Sequence, residues 1–169
     1  MVATSHEGAN EAERVARRYV EEFLNTGDEA VADAVLHEDL VAHQLGVETD
    51  RVGRAAVVGQ ILAFRETVPD WHLTVEDSVA EEDTVMLRVT ARGTPQRAWG
   101  NLVPTGKSFE AAAFFAFRVS EGRIVEQWNL VNLAGIGKQL GLMPPTPRAL
   151  AAMVRHRIGR RFGRRSSSA

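Results

Sequence analysis

The chain has 169 residues, of which 44% are hydrophobic, no cysteine and a formal net charge of −2. This length and composition fit one domain with its own core, and the lack of cysteine excludes a disulfide framework, a thiol nucleophile and a thiolate metal site. An apolar signal region at the N-terminus and an apolar run of about 18 residues are both missing, so we expect a soluble, cytoplasmic protein.

Three helices are predicted in the first part of the chain. Residues 1–9 are small and polar, and we expect a flexible N-terminus there. Apolar residues at helical spacing predict a first helix that stops near Gly27, namely Val15, Tyr19, Val20, Phe23 and Leu24. Asp28 can cap a second, short helix. A third is predicted over residues 54–67, with Pro69 ending it.

After Pro69 the hydrophobic period changes to two, which indicates antiparallel strands with two distinct faces. Residues 71–76, 84–90 and 122–132 show this alternation, whereas residues 111–119 are almost wholly apolar and predict a central strand buried on both faces. Three helices followed by four strands predict an α+β fold. If the sheet curls over the first and third helices, the open end is the natural ligand site.

The last predicted strand contains the first candidate site residues. By alternation Trp128, Leu130 and Asn132 share one face, and Gln127, Asn129 and Val131 share the other. If Trp128 faces the cavity, Asn132 does as well. An asparagine amide can orient a substrate carbonyl or a water but has no useful pKa for general acid/base catalysis. The alternative is that Asn132 only satisfies buried backbone groups.

Two ionisable residues are further catalytic candidates. Arg118, if it faces the cavity, suits an enolate or a carboxylate, and otherwise forms an ion pair on a sheet face. His43 can act as an acid or base near neutral pH, or serve as a structural histidine. The sequence has neither the H-E-x-x-H spacing nor a cluster of Asp, Glu and His, so we expect no metal and no cofactor.

A largely aromatic set of side chains is predicted to bind an apolar substrate. Its members are Phe64, Trp71, Met86, Trp99, Phe114, Trp128 and Leu130. Trp99 lies in the loop 95–107, which is longer than a hairpin needs and also contains Gly100 and Gly106. We expect this loop to be a mobile lid that closes on the ligand. The alternative is an ordinary loop anchor or a dimer contact.

The tail over residues 144–169 differs from the rest of the chain in charge. Residues 1–147 hold 13 Lys and Arg and 22 Asp and Glu, which gives −9, whereas seven arginines and no acidic residue follow from Arg148 onward. Apolar residues recur every four positions between these arginines and predict a basic amphipathic helix. It is expected to pack on the acidic body. Alternatively, the tail covers the mouth of the cavity, binds a partner protein or contacts an anionic membrane. Binding of nucleic acid is disfavoured, because the acidic body would repel it.

Short motifs in a fixed order indicate a family. They are Val68-Pro69-Asp70, Pro104-Thr105-Gly106, Glu121-Gly122-Arg123-Ile124, Trp128 and Gln139-Leu140-Gly141. Over residues 10–143 this series resembles the SnoaL-like polyketide cyclases, or ester cyclases, of the NTF2-like superfamily. The resemblance implies a cone of three N-terminal helices packed in a curled antiparallel sheet, and a homodimer formed through the outer sheet face. It also implies a general acid/base four residues after the tryptophan, where this chain has Asn132.

The resemblance implies an enzyme of antibiotic biosynthesis that closes a ring in an apolar, polyketide-type intermediate. An asparagine in place of the family's aspartate argues against aldol chemistry with proton transfer. Ring closure that needs little proton transfer, such as a cycloaddition on a template, stays compatible with an asparagine. Holding the reacting ends together can lower the activation barrier of such a reaction by up to ~7–11 kcal/mol. The second hypothesis is a non-catalytic binding protein for an apolar small molecule. The third is an epoxide or ester hydrolase, which needs a carboxylate near a bound water.

Overall fold

The structure is a computed structural model that describes residues 11–44, 50–100 and 102–143, together with Pro147, Ala151, Val154 and Arg155. The expected flexible segment 1–9 and most of the predicted tail helix lie outside the described residues. None of the helices in the described part is long and apolar enough to cross a membrane.

The three helices predicted in the first part of the chain are present, and within the described residues a fourth follows the last strand. They are α1 (Glu11–Arg17), which continues as a π-helical segment (Arg18–Leu24), α2 (Glu29–Val35), α3 (Arg54–Thr67) and α4 (Leu133–Gln139). The carboxylate of Asp28 accepts a 2.9 Å hydrogen bond from the Ala30 N–H, so the predicted cap of α2 is confirmed. Gly27 has φ +78°, a left-handed conformation that ends the preceding helix.

Within the part of the chain that the structure describes, the sheet has six strands, two more than the sequence predicted. They are β1 (Leu36–Gln44), β2 (Arg51–Val52), β3 (His72–Glu81), β4 (Thr84–Gly93), β5 (Phe109–Ser120) and β6 (Arg123–Val131). Their order is β2-β1-β6-β5-β4-β3, and β1 runs parallel to β6 whereas the other pairs are antiparallel. The four predicted strands, β3 to β6, are antiparallel neighbours as expected, and the parallel pair arises from β1, which the sequence did not predict. Strand β1 is charged in its first half and lacks a clear alternation.

The sheet has an inner face that packs on the helices and an outer face that does not. On β4 and β5 the inner positions are buried in strict alternation, and they include Leu87, Phe115 and Phe117. Phe117 meets the ring of Tyr19 edge-on at 5.7 Å between centroids. The prediction that residues 111–119 are buried on both faces was wrong, because the outer positions of β5 are partly or largely exposed apolar residues that hide the alternation.

The core fills the space between the inner face and the helices. The first helix contributes Tyr19, Val20, Phe23 and Leu24, and α3 contributes Val57 and Val58. This packing of three N-terminal helices into a curled sheet confirms the α+β fold class, and it makes the inner face the wall of any interior site.

Candidate functional site

Strand β6 turns its amide side chains inward and its tryptophan outward. Gln127 pairs across the sheet with Phe117, and Asn129 pairs with Phe115, so both amides share the face of these buried rings. Trp128 lies between them and points the other way. The expectation that Trp128 faces the cavity was wrong, because alternation along a strand groups residues by face without saying which face is the inner one.

Two polar groups buried beside the inner face are a phenol and an amide. Tyr19 is 1% exposed and Gln127 is 4% exposed. Burial raises the pKa of Tyr19 well above its usual range, and a hydrogen bond with Gln127 opposes this shift more weakly. Tyr19 therefore stays protonated at neutral pH. The half-buried Asn129 follows on the same face, toward the end of the strand.

These interior residues were not among the sequence-predicted site residues. The alternation did place Gln127 and Asn129 on one face, but an indole was expected to be buried in preference to an amide. Tyr19 looked like an ordinary core position of an amphipathic helix. One feature of the sequence does point to them: Gln127 and Asn129 are two amides on the same face of a predicted strand, and the strand that precedes it is almost wholly apolar.

Three of the predicted substrate-binding residues form an aromatic cluster near the C-terminal end of α3. The rings of Phe64 and Trp71 meet edge-on at 4.8 Å between centroids, and those of Phe64 and Trp99 at 6.0 Å. All three side chains are half-buried. They come from α3, from the residue before β3 and from the loop 95–107, so the fold brings together aromatic residues that are distant in the sequence.

The loop 95–107 is anchored to α3. The backbone N–H groups of Gln96 and Arg97 donate to the Thr67 carbonyl at 2.8 and 3.3 Å, and Trp99 and Leu102 exchange two backbone hydrogen bonds. This geometry favours the loop-anchor alternative for Trp99. Motion of the loop as a lid stays a prediction.

His43, Arg118 and Trp128 do come together, but on the outer face. Together with Asp50 and Glu126 they form what we call the outer cluster. The imidazole of His43 stacks on Trp128 at 5.2 Å, and the Arg118 guanidinium lies 5.6 Å from the same ring. Arg118 also donates a 2.9 Å hydrogen bond to Glu126, which is the ion-pair alternative weighed for it. The two candidates are thus not placed in the interior.

Both ring nitrogens of His43 are paired with carboxylates. Its Nε2 lies 2.9 Å from Glu126 Oε1, and its Nδ1 lies 2.9 Å from Asp50 Oδ1. The hydrogen bond with Glu126, followed by that with Asp50, raises the pKa of His43 above its ordinary value of 6.5.

This raised pKa predicts a pH-dependent contribution to stability. The folded state holds the imidazolium proton more tightly than the unfolded state, so the stabilisation is complete below pH 6.5 and is lost as the pH rises through the folded-state pKa. We expect His43→Asn to lower the melting temperature most in acid and progressively less toward about pH 9. Thermal unfolding across this range checks it, and a deficit that grows with pH would contradict it.

The remaining predicted substrate contacts also lie on the outer face. Met86, Phe114 and Leu130 are 52%, 47% and 48% exposed. Phe114 pairs across the sheet with Arg88 on one side and Leu130 on the other. Their expected position in the cavity was wrong for the same reason as that of Trp128.

Asn132 caps a helix. It is exposed, lies at the N-cap of α4, and its side-chain oxygen accepts a 2.9 Å hydrogen bond from the Gly135 N–H. The expectation that it lines the cavity was wrong, because the strand ends at Val131 and alternation does not extend to the next residue. An aspartate at this position would make the same cap.

The cap predicts how Asn132 variants behave. Asn132→Ala should lower the free energy of unfolding by about 1 kcal/mol, whereas Asn132→Asp should cost little because a carboxylate accepts the same bond and suits the helix dipole. Urea denaturation of both variants measures this. Equal losses for alanine and aspartate would contradict the capping role.

Across the described part of the chain, no group of three or more His, Cys, Asp or Glu side chains is placed to hold a metal ion.

Comparisons with known proteins agree with this architecture. IdmH of Streptomyces antibioticus, named as a candidate polyketide cyclase, is 30% identical, with 78% of this chain and 99% of IdmH covered and a TM-score of 0.69. AclR of Streptomyces galilaeus, named as a candidate hydroxylase, is 25% identical, with 78% of this chain and 96% of AclR covered and a TM-score of 0.66.

A protein of ketosteroid isomerase-like fold from Catenulispora acidiphila shares the fold at 15% identity, with 82% of this chain and 95% of that protein covered and a TM-score of 0.65. Curated protein sequences gave no match. The sequence model of the SnoaL-like polyketide cyclase family matches residues 13–140 of this chain. Since this match spans most of the chain, the protein belongs to the SnoaL-like polyketide cyclase family and has its NTF2-like fold.

Proposed function

We propose that the protein is a cyclase that closes a ring in an apolar, polyketide-type intermediate bound against the inner sheet face. The observation on which this rests is the chemistry of the inward polar groups. Gln127 and Asn129 are amides, and Tyr19 is a phenol whose pKa is raised by burial. These groups form hydrogen bonds at neutral pH without changing their protonation state.

Such a site favours ring closure on a template over aldol chemistry. In a cycloaddition two π bonds are exchanged for two σ bonds within one molecule, and no proton is gained or lost. The protein then has to hold the reacting ends together and polarise a carbonyl through hydrogen bonds, which are contributions that amides and a phenol can make. The half-buried cluster of Phe64, Trp71 and Trp99 offers an apolar surface of edge-on rings for the rest of the bound intermediate.

The pH dependence of turnover tests this chemistry. The substrate is the linear intermediate that accumulates when the gene is deleted in its source organism. We expect the purified protein to convert it to an isomer of unchanged mass, at a rate that varies less than about threefold from about pH 6 to about pH 9. A bell-shaped pH profile, or a product lighter by one water, would contradict template chemistry and favour an acid/base aldol reaction.

A non-catalytic binding protein is the second candidate, because the same amides and aromatic rings suit an apolar ligand without reaction. The experiment above separates the two. A binding protein retains the linear intermediate with a measurable affinity and returns it unchanged after prolonged incubation. The hydrolase hypothesis has weaker support, since Glu126 and Asp50 of the outer cluster are engaged with His43.

We also propose that two copies of the chain pair through the outer face. Its centre contains exposed Met86, Phe114 and Leu130, and its charged side chains come as pairs of both signs, such as Arg118 with Glu126. An apolar centre with a rim of both charges is self-complementary. Light scattering should give a dimer for the unchanged protein and a monomer for Phe114→Glu. A monomer for the unchanged protein would contradict the proposal.

A further inference from the structure

One buried acceptor of the interior has no hydrogen-bond partner. Within the described residues, the buried side-chain oxygens without a partner are Oε1 of Gln127 and Oγ1 of Thr105. Gln127 is 4% exposed, and the equally buried Thr67 does have a partner, since its hydroxyl donates to the Ala63 carbonyl at 3.3 Å. A buried acceptor without a donor lowers the stability of the folded state, because it loses its hydrogen bonds to water and gains none in return.

The surroundings of Gln127 show which end of its amide is in use. Because Oε1 of Gln127 has no partner, the amide N–H is the donor in the hydrogen bond with Tyr19, and this bond lowers the pKa of the phenol. The carbonyl oxygen of the same amide, Oε1, has no donor. Across the sheet Gln127 is flanked by Phe117 on β5 and Ala42 on β1. These apolar neighbours do not supply the two to four polar partners that a buried water usually has.

We propose that Gln127 Oε1 accepts a hydrogen bond from an O–H or N–H group of the bound ligand. This inference rests on the proposed function and narrows its substrate class. The ligand presents a donor, such as an enol or phenol hydroxyl, at the end that reaches Gln127. Asn129 lies two residues further along the same inner face and is half-buried. Two residues of a strand span roughly 7 Å, so the ligand has a second polar group at about that distance from the first.

Two probes of nearly equal shape test the donor requirement. The first is 2-naphthol, which has a hydroxyl donor, and the second is 2-methoxynaphthalene, which has none. We expect the unchanged protein to bind 2-naphthol about tenfold more tightly, the effect of one neutral hydrogen bond to a buried acceptor. Gln127→Met keeps the length of the side chain and should bind the two probes equally. Thr67→Val also removes a buried polar group and should retain the tenfold preference.

A measurement on the unchanged sequence covers the case in which Gln127→Met does not fold. Protein labelled with carbon-13 at the glutamine side-chain carbonyl should show a shift of the Gln127 resonance with 2-naphthol and a smaller one with 2-methoxynaphthalene. Equal affinity of the unchanged protein for both probes, or a preference that survives in folded Gln127→Met, would overturn the assignment of Gln127 without contradicting the proposed interior site. Binding of neither probe would contradict the interior site itself, and the Gln127 assignment with it.

Discussion

Replacing Phe117 with alanine is expected to lower the free energy of unfolding by about 3–5 kcal/mol, because the ring is fully buried and its removal leaves a cavity. Phe117 is 0% exposed and contacts both Tyr19 and Phe115 at 5.7 and 5.9 Å between ring centroids. Chemical denaturation measures the loss. The position matters for function because Phe117 lies beside Gln127 on the inner face.

Phe114 on the same strand is the matched control. It is the same residue type, it lies on the outer face, and it is 47% exposed. Phe114→Ala should therefore cost at most about 1 kcal/mol in the monomer. Denaturation midpoints that do not depend on protein concentration would show that dimer formation does not enter the comparison. Equal losses for the two variants at a protein concentration where the chain is monomeric would mean that the inner and outer faces are assigned incorrectly.

Replacing Asn129 with leucine is expected to reduce product formation by roughly 10–100-fold, the effect of removing a hydrogen bond and leaving a polar group of the substrate unpaired. Leucine has a similar size, so the inner wall keeps its shape. The rate of ring closure measured with the linear intermediate gives the result.

The control for Asn129 is Asn132→Ser, three residues along the chain. Serine retains the helix cap, so both fold and turnover should stay within about threefold of the unchanged protein. If Asn132→Ser loses activity while Asn129→Leu retains it, the reactive residue lies at the end of β6 and not on its inner face.

Local signals were sufficient for the three N-terminal helices and for the four predicted strands, β3 to β6. The cap at Asp28 and the helix over residues 54–67 follow from side-chain chemistry and from apolar spacing, both of which act within one or two turns. The motif series extended these elements to a family, and the family model over residues 13–140 agrees.

Strand β1 and the sidedness of β6 depend on contacts between distant residues. β1 contains the charged run His37-Glu38-Asp39, and its pairing with β6 joins segments about 85 residues apart, as in His43 with Trp128. Trp128 can face outward because His43 and Arg118 cover its ring. A hydrophobicity pattern contains no information about side chains that cover a ring from distant parts of the chain, and this is why the sequence predicts the wrong face for Trp128.

The position of a bound ligand tests the central claim, that the functional site lies against the inner face. The measurement is a crystal structure of the protein with the linear intermediate, or with 2-naphthol as its substitute. We expect electron density between Gln127 and Asn129 on one side and Phe64 on the other, with the outer cluster unchanged. Density stacked on Trp128 between His43 and Arg118, with the interior unaltered, would contradict the account.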